Sequence, residues 1–295
     1  MRKLYPLLIA ALLVSAIGAL QSPMPVRAVS GSLSFTPSFV SFGSITVGTR
    51  SKPVDVIVKN TGTVNVTLGR LTITGEFKLK IGTCTIGVVL MPTQTCTFSV
   101  IFAPLSIASK TGTVSIPSDA TNPLYTVNMS GTGSGTNLLK SANFDLPLTK
   151  PIPWREGPNV PDILDLLDCS VWISPMCSVR MQGRLDLYGN PLLQTISQGV
   201  ARVGAVGDKY TFVLSSKSSA VPLTGLYSVQ VILLNTYNQV VGMQVVNFLH
   251  GTHTWQTVVG NITATETHTW VVFRIIFRQA SGRAWFDNAI LVKVP

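Results

Sequence analysis

Short runs of alternating apolar and polar residues recur along this chain, separated by turn residues at intervals of about eight to twelve positions. In the first half they are "LSF" (33–35), "VSF" (40–42), "VDVIVKN" (54–60), "VNVTL" (64–68), "CTFSVIF" (96–102), "GTVSI" (112–116) and "LYTVNM" (124–129). The second half has "YTFVLSSKS" (210–218), "YSVQVILLN" (227–235), "VVGMQVVNFL" (240–249), "HTWVVFRIIFR" (268–278) and "AWFDNAILVKV" (284–294). A period of two places successive side chains on opposite faces of a strand, and no long 3.6-period stretch competes with it. With 24 Gly, 18 Pro and only 12% charged residues, the composition agrees. The expected fold class is therefore all-β, with few helices.

The segment "SGTGSGTN" (130–137) divides the chain. It is small, polar and glycine-rich, which predicts a connector at 134–136 between a domain over 31–133 and a larger one over 137–295. It lacks the G-x-G-x-x-G order and the following Lys-Ser/Thr of a phosphate loop. In the first domain Cys96, Phe98, Val100 and Phe102 share one strand face, and seven short strands in about a hundred residues describe an immunoglobulin-like sandwich. In the second domain Val271, Phe273, Ile275 and Phe277 make an apolar face, while Trp270, Val272, Arg274, Ile276 and Arg278 make an amphipathic one, as in two stacked antiparallel sheets.

Ahead of both domains, residues 1–28 combine a basic start, an apolar run and small residues at Val26 and Ala28, the pattern of a cleaved secretory signal, with an uncleaved anchor as the alternative. The mature chain is expected outside the cytoplasm, secreted or at the cell surface, with no further membrane span. Four cysteines in two close pairs, Cys84 with Cys96 and Cys169 with Cys177, are expected as local disulfides in that oxidising setting. Neither pair has the C-x2-C spacing of a metal site. The net charge of +10 comes from scattered Lys and Arg rather than a basic stripe, which argues against nucleic acid; weak attraction to acidic glycans or anionic surfaces is compatible with it.

Specific motifs carry two resemblances. "FVSFGSITVGT", "VIVKNTGT", "GEFKL", the Cys84 to Cys96 spacing, "VIFAP" and "SDATNPLYTVNMSGTG" resemble the Hydin-type (choice-of-anchor D) immunoglobulin-like module, which implies an adhesive or spacer domain without catalytic residues. "NLLKSANFD" (137–145), "KYTFVLSSKSS", "TWQTV" (254–258) and "GRAWFDNAIL" (282–291) are similar to the galactose-binding-like jelly roll of carbohydrate-binding module families 4, 9 and 22. That second resemblance implies a structural calcium between acids on the first and last strands, here Asp145 and Asp287, with capping of backbone N–H groups by Asp287 as the alternative.

The last strand sharpens the question. Simple alternation puts Trp285, Asp287, Ala289 and Leu291 on one face and Phe286, Asn288 and Ile290 on the other, so a carboxylate stands among apolar neighbours and needs a partner. A sugar ligand calls for exposed aromatic faces beside polar groups. Trp255, Trp270, Trp285, Phe286 and Tyr210 fall in strand patterns and are assigned to the core; Trp154 and Trp172, in the irregular stretch 146–184, are the expected platform, with Tyr188 and Arg184 beside them and folding back over the sandwich as the alternative. No catalytic set emerges. His250, His253 and His268 read as turn residues, Asp162, Asp165 and Asp168 as helix entry, and no G-x-S-x-G elbow exists. The expectation is a non-catalytic protein whose partner is an extracellular or cell-surface glycan. Two alternatives stand beside it: a structural envelope or adhesion protein binding no glycan, and a hydrolase acting through Glu156 and the acidic cluster.

Overall fold

The computed structural model describes residues 30–144, 153–174 and 176–294. Residues 1–28, expected as a secretory signal, and Asp145 lie outside the described residues. The first domain contains β1 (Leu33–Thr36), β2 (Phe39–Thr46), β3 (Val54–Asn60), β4 (Val66–Thr67), β5 (Thr72–Ile73), β6 (Phe77–Ile81), β7 (Val89–Leu90), β8 (Thr95–Phe102), β9 (Ser109–Pro117) and β10 (Leu124–Ser134). Eight of them form two four-stranded sheets, ordered β1-β3-β8-β6 and β2-β10-β9-β5, and β4 pairs with β7 in a two-stranded one; β2 and β10 are parallel and the other neighbours antiparallel. This is an immunoglobulin-like sandwich. Its core holds Val56, Val58, Phe98, Val100, Phe102, Val114, Ile116 and Val127, the inward members of each alternation, with the Cys84–Cys96 disulfide among them.

The second domain contains β11 (Arg155–Glu156), the short helix α1 (Ile163–Leu166), β12 (Leu167–Asp168), β13 (Ser178–Gln182), β14 (Leu193–Gly204), β15 (Lys209–Val221), β16 (Leu226–Leu234), β17 (Val240–Asn247), β18 (Gly251–Thr263), β19 (His268–Arg278) and β20 (Arg283–Val294). Two five-stranded sheets, β11-β14-β19-β16-β17 and β12-β13-β20-β15-β18, close as a jelly roll. All four members of the apolar face of β19, Val271, Phe273, Ile275 and Phe277, are fully buried between them. The chain's entry to the domain lies beside its exit: Leu138 N donates to Leu291 O at 2.8 Å and Ala289 N to Ala142 O at 3.0 Å. Among the described residues no helix is long and apolar enough to cross a membrane.

Three local expectations need correction. The glycine-rich segment 130–137 is no free connector, because β10 continues through it to Ser134 while paired with β2. Its glycines serve close packing: a Cβ at Gly131 would sit 2.6 Å from the Phe102 ring, and one at Gly133 would sit 2.0 Å from Ser106 O. Second, β20 does not alternate simply. Its pairing with β15 slips between Val213 and Ser215, and Asn288 adopts φ 53°, so the strand bulges there and its phase inverts. Ala284, Phe286, Ala289 and Leu291 therefore all face the core, whereas Trp285 and Asp287 before the bulge share the outward side with Ile290 and Val292 after it. Third, β14 is a twelve-residue strand that sequence patterning passes over, because glutamines occupy two of its inward positions; Gln194 and Gln198 are both buried.

The two domains touch through a small apolar cluster on the outward side of the β12-β13-β20-β15-β18 sheet. Val47 packs on Val213, Ile290 and Val292, with Val259 at the edge. Gly48 follows at φ 74°, and a Cβ there would meet Thr211 Cγ2 at 2.0 Å, so both conformation and space call for glycine at this contact.

Candidate ligand groove

The outward face of the other sheet, β11-β14-β19-β16-β17, stays open. Cross-strand register writes it in rows: Ala201, Trp270 and Leu234; then Gly199, Val272, Ile232 and Met243; then Arg155, Ser197, Arg274, Gln230 and Val245. These are the residues of the amphipathic face of β19 and their neighbours. Over the first part of this face runs a groove of about 1050 Å³, lined by Trp270, Val272, Ser197, Gly199, Lys140 and Arg155 among others. That volume is at the top of the range of roughly 300–1,000 Å³ usual for small-ligand clefts, which suits an oligomer better than a single small molecule.

Trp270 is 40% exposed. Its six-membered ring lies against β14, where a Cβ built on Gly199 would stand 3.4 Å from Cε3 and 3.6 Å from Cζ3. Ala201, its register partner, is equally small. An indole beside small residues and 40% exposed leaves aromatic surface open to a ligand, and the assignment of Trp270 to the core is thereby corrected.

The polar wall is built from the core outward. Gln198 is buried and spends its whole amide on one residue: Lys140 N donates to Oε1 at 2.7 Å, and Nε2 donates to Lys140 O at 2.9 Å. This clamp sets Lys140 on the groove edge. Trp154, expected as a sugar platform, is buried instead, its Nε1 donating to Ser141 O at 3.0 Å and its ring against Phe144 at 4.9 Å. Burying Trp154 holds its neighbours Pro153 and Arg155 in the wall.

The other expected site residues do not line the groove. Trp172 is half-exposed on the Cys169–Cys177 loop, which docks on β20 of the opposite sheet. Tyr188 projects into solvent from a turn held by Asp186, which accepts from Tyr188 N and Asn190 N, both at 2.8 Å. Arg184 stands at the start of that loop, its N–H donating to Gln279 O at 3.1 Å.

Asp287 is fully buried under the disulfide loop. Its Oδ2 accepts from Ile173 N and Ser174 N, each at 2.9 Å, and its Oδ1 accepts from the Ser174 hydroxyl and from Asn288 N. Burial pushes its carboxyl above the usual range, and these donors pull it back only in part. Every contact is a donor occupying a lone pair that a cation would need, and among the described residues no three His, Cys, Asp or Glu side chains gather to hold a metal. As described, Asp287 fastens the loop.

Several of the remaining acids and histidines are likewise engaged, while His250 Nε2 and His268 Nδ1 are buried without a hydrogen-bond partner among the described residues. Glu156 accepts from Ile163 N at 3.0 Å, and Asp162 caps α1 through Leu164 N at 2.9 Å. Burial raises the Asp168 carboxyl, but hydrogen bonds from Ser170 and from Trp285 Nε1, at 2.8 Å, leave it below its ordinary range. Both ring nitrogens of His253 face backbone carbonyls, Thr254 O at 2.7 Å and Leu249 O at 2.9 Å, and His268 is buried with Nε2 on the Tyr210 hydroxyl at 2.8 Å.

No family model matches the chain, and no curated protein matches it. Among solved structures it is similar to the enzymatically active domain of bacteriophage CBA120 tailspike protein 4, at 10% identity and a TM-score of 0.40, over 54% of this chain and 21% of that one. It is also similar to the CBM22-1 xylan-binding domain of Paenibacillus barcinonensis Xyn10C, at 13% identity and a TM-score of 0.37, over 55% of this chain and 96% of that one. A third is PapD-like domain 7 of human CEP192, at 15% identity and a TM-score of 0.29, over 44% of this chain and 98% of that one. With identities and TM-scores this low, what those proteins bind or cleave is theirs alone.

Proposed function

We propose that this is an extracytoplasmic, non-catalytic protein in which the immunoglobulin-like domain, of the Hydin type, is a spacer carrying a jelly roll that binds glycan in the Trp270 groove. The observation that carries the reading is Trp270 itself: a partly exposed indole beside Gly199 on a sheet face, with Ser197, Lys140 and Arg155 within the same groove. Flat aromatic surface for the apolar face of a pyranose, edged by hydrogen-bonding groups, is what sugar recognition requires. Two disulfides support an oxidising location. The non-catalytic part is supported by the groove lining, which contains no Asp or Glu among the described residues, and by Glu156, Asp162 and Asp168 being spent on backbone and side-chain contacts elsewhere.

The test is a glycan array on the full chain beside Trp270→Ala. Binding to a defined glycan class that the variant loses, with an unchanged melting temperature, is the expected result. Silence across plant, microbial and mucin glycans would overturn it in favour of a structural role.

A further inference from the structure

Resting on the glycan reading of the groove, we infer that its ligand is an anionic glycan, one bearing carboxylate or sulfate groups, held by Arg155 and Arg274. The two arginines occupy one cross-strand row. Arg155 on β11 pairs with Ser197 on β14, and Ser197 pairs with Arg274 on β19, so two inter-strand spacings, about 9–10 Å, separate their backbones on the same face. Ser197 between them is a neutral hydrogen-bonding group, and Gln230 continues the row beyond Arg274. Lys140, fixed by the buried Gln198, adds a third cation along the groove.

Among the described residues no ion pair compensates their charge: those present are Lys110–Glu76, Arg180–Asp168 and Lys293–Asp208, and none reaches Lys140, Arg155 or Arg274. No carboxylate belongs to any row of the open face, and Glu156, next to Arg155, pairs with Ile196 in the opposite phase and serves Ile163 N. Like charges about a Debye length apart on one face repel, and an external anion between them relieves that repulsion. A guanidinium presents a planar fork of donors that matches a carboxylate or sulfate, and two of them at fixed spacing read a repeating acid along a chain. Trp270 lies four residues from Arg274 on β19, about 13 Å along the strand, so a saccharide stacked on the indole extends its following residues across the arginine row.

The experiment uses the full chain in affinity electrophoresis and calorimetry. The probes are polygalacturonate and alginate, each beside its carboxyl-reduced counterpart, and dextran sulfate beside unsulfated dextran, over a salt series. The wild type is expected to bind at least one acidic polymer about tenfold more tightly than its neutral counterpart, with the advantage shrinking as salt rises. Replacing Arg155 and Arg274 together by Gln should bring the ratio of acidic to neutral affinity to about one with the melting temperature unchanged, whereas Trp270→Ala should weaken both kinds of binding and keep the ratio. Preference for the carboxylate or the sulfate polymers then identifies the acid. Equal binding of acidic and neutral counterparts, or an acidic preference that survives the double substitution, overturns the anionic assignment and leaves glycan binding standing. Absence of binding to every glycan, acidic or neutral, overturns glycan binding itself.

Discussion

The jelly roll has two outward faces, and they meet different fates. On the β12-β13-β20-β15-β18 sheet the outward Val213, Ile290 and Val292 are buried because Val47 of the neighbouring domain covers them. On the β11-β14-β19-β16-β17 sheet the corresponding apolar residues, Trp270, Met243 and Val240, remain exposed and share their surface with arginines. Strand alternation is alike in both. The difference teaches that an outward apolar residue in a two-domain sandwich has two explanations, a covering domain or a ligand, and that charge nearby separates them: the covered face has none in its cluster, while the open face has several of one sign.

Substitution on the two faces tests this contrast most strongly. Val292→Asp puts an unpaired carboxylate in the interdomain cluster and is expected to cost about 3–5 kcal/mol, read as a large fall in melting temperature. Met243→Asp on the open face should change stability by no more than about 0.5 kcal/mol. Similar losses at both sites would mean that the open face is covered as well.

Next in size is the clamp beneath the disulfide loop. Asp287→Ala strands Ile173 N and Ser174 N and should cost about 3 kcal/mol; Asp287→Asn, which keeps an acceptor, should cost less. The pH dependence has a definite sign. Because the folded carboxyl titrates above its unfolded value, the folded state binds the proton more readily, and the stability this group contributes is lost as pH rises through the raised value. Lowering pH from about 7 toward about 4 should therefore move the wild type up relative to Asp287→Asn in paired melting curves. EDTA and added calcium should leave the wild-type melting temperature unchanged; a rise with calcium would return Asp287 and Asp145 to a metal site.

Smaller effects separate the aromatic candidates. Trp270→Ala should weaken glycan binding about tenfold with little change in stability, and Gly199→Val, which crowds the face of the indole, should do the same by a smaller factor. Trp172→Ala is expected to leave binding unchanged. Its loss of binding, with Trp270→Ala silent, would move the platform to the disulfide loop.

How far these features were legible varies with their physical origin. The core face of β19 follows directly from Val271, Phe273, Ile275 and Phe277, since a period of two with one apolar phase has a single sensible burial. Both cysteine pairs are local and equally readable, whereas the helix, expected to start before Pro161 and to carry all three acids, is capped by Asp162 and ends at Leu166, with Asp168 in β12. The groove was half visible. The amphipathic phase of β19 was plain, but Trp270 was assigned inward on its residue type, and β14 escaped notice because Gln194 and Gln198 interrupt its apolar phase. A usable signal was present in Ser197, Gly199 and Ala201, a run of small residues at alternate positions that leaves room for a ring from the neighbouring strand. Nothing in β20 announces the slip at Asn288, because a bulge is set by the partner strand's register rather than by the residue that bulges.

Sequence alone determined what depends on near neighbours: the all-strand character, the inward phase of each regular strand and the short disulfide loops. The tertiary structure decided what depends on distant partners. It chose which outward face the first domain covers, carried β10 into the glycine-rich joint as far as Ser134, sent Trp154 inward and left Trp270 outside. The physical reason is that backbone alternation creates two faces without ranking them; only packing between segments far apart in the chain removes one from water and leaves the other for a ligand.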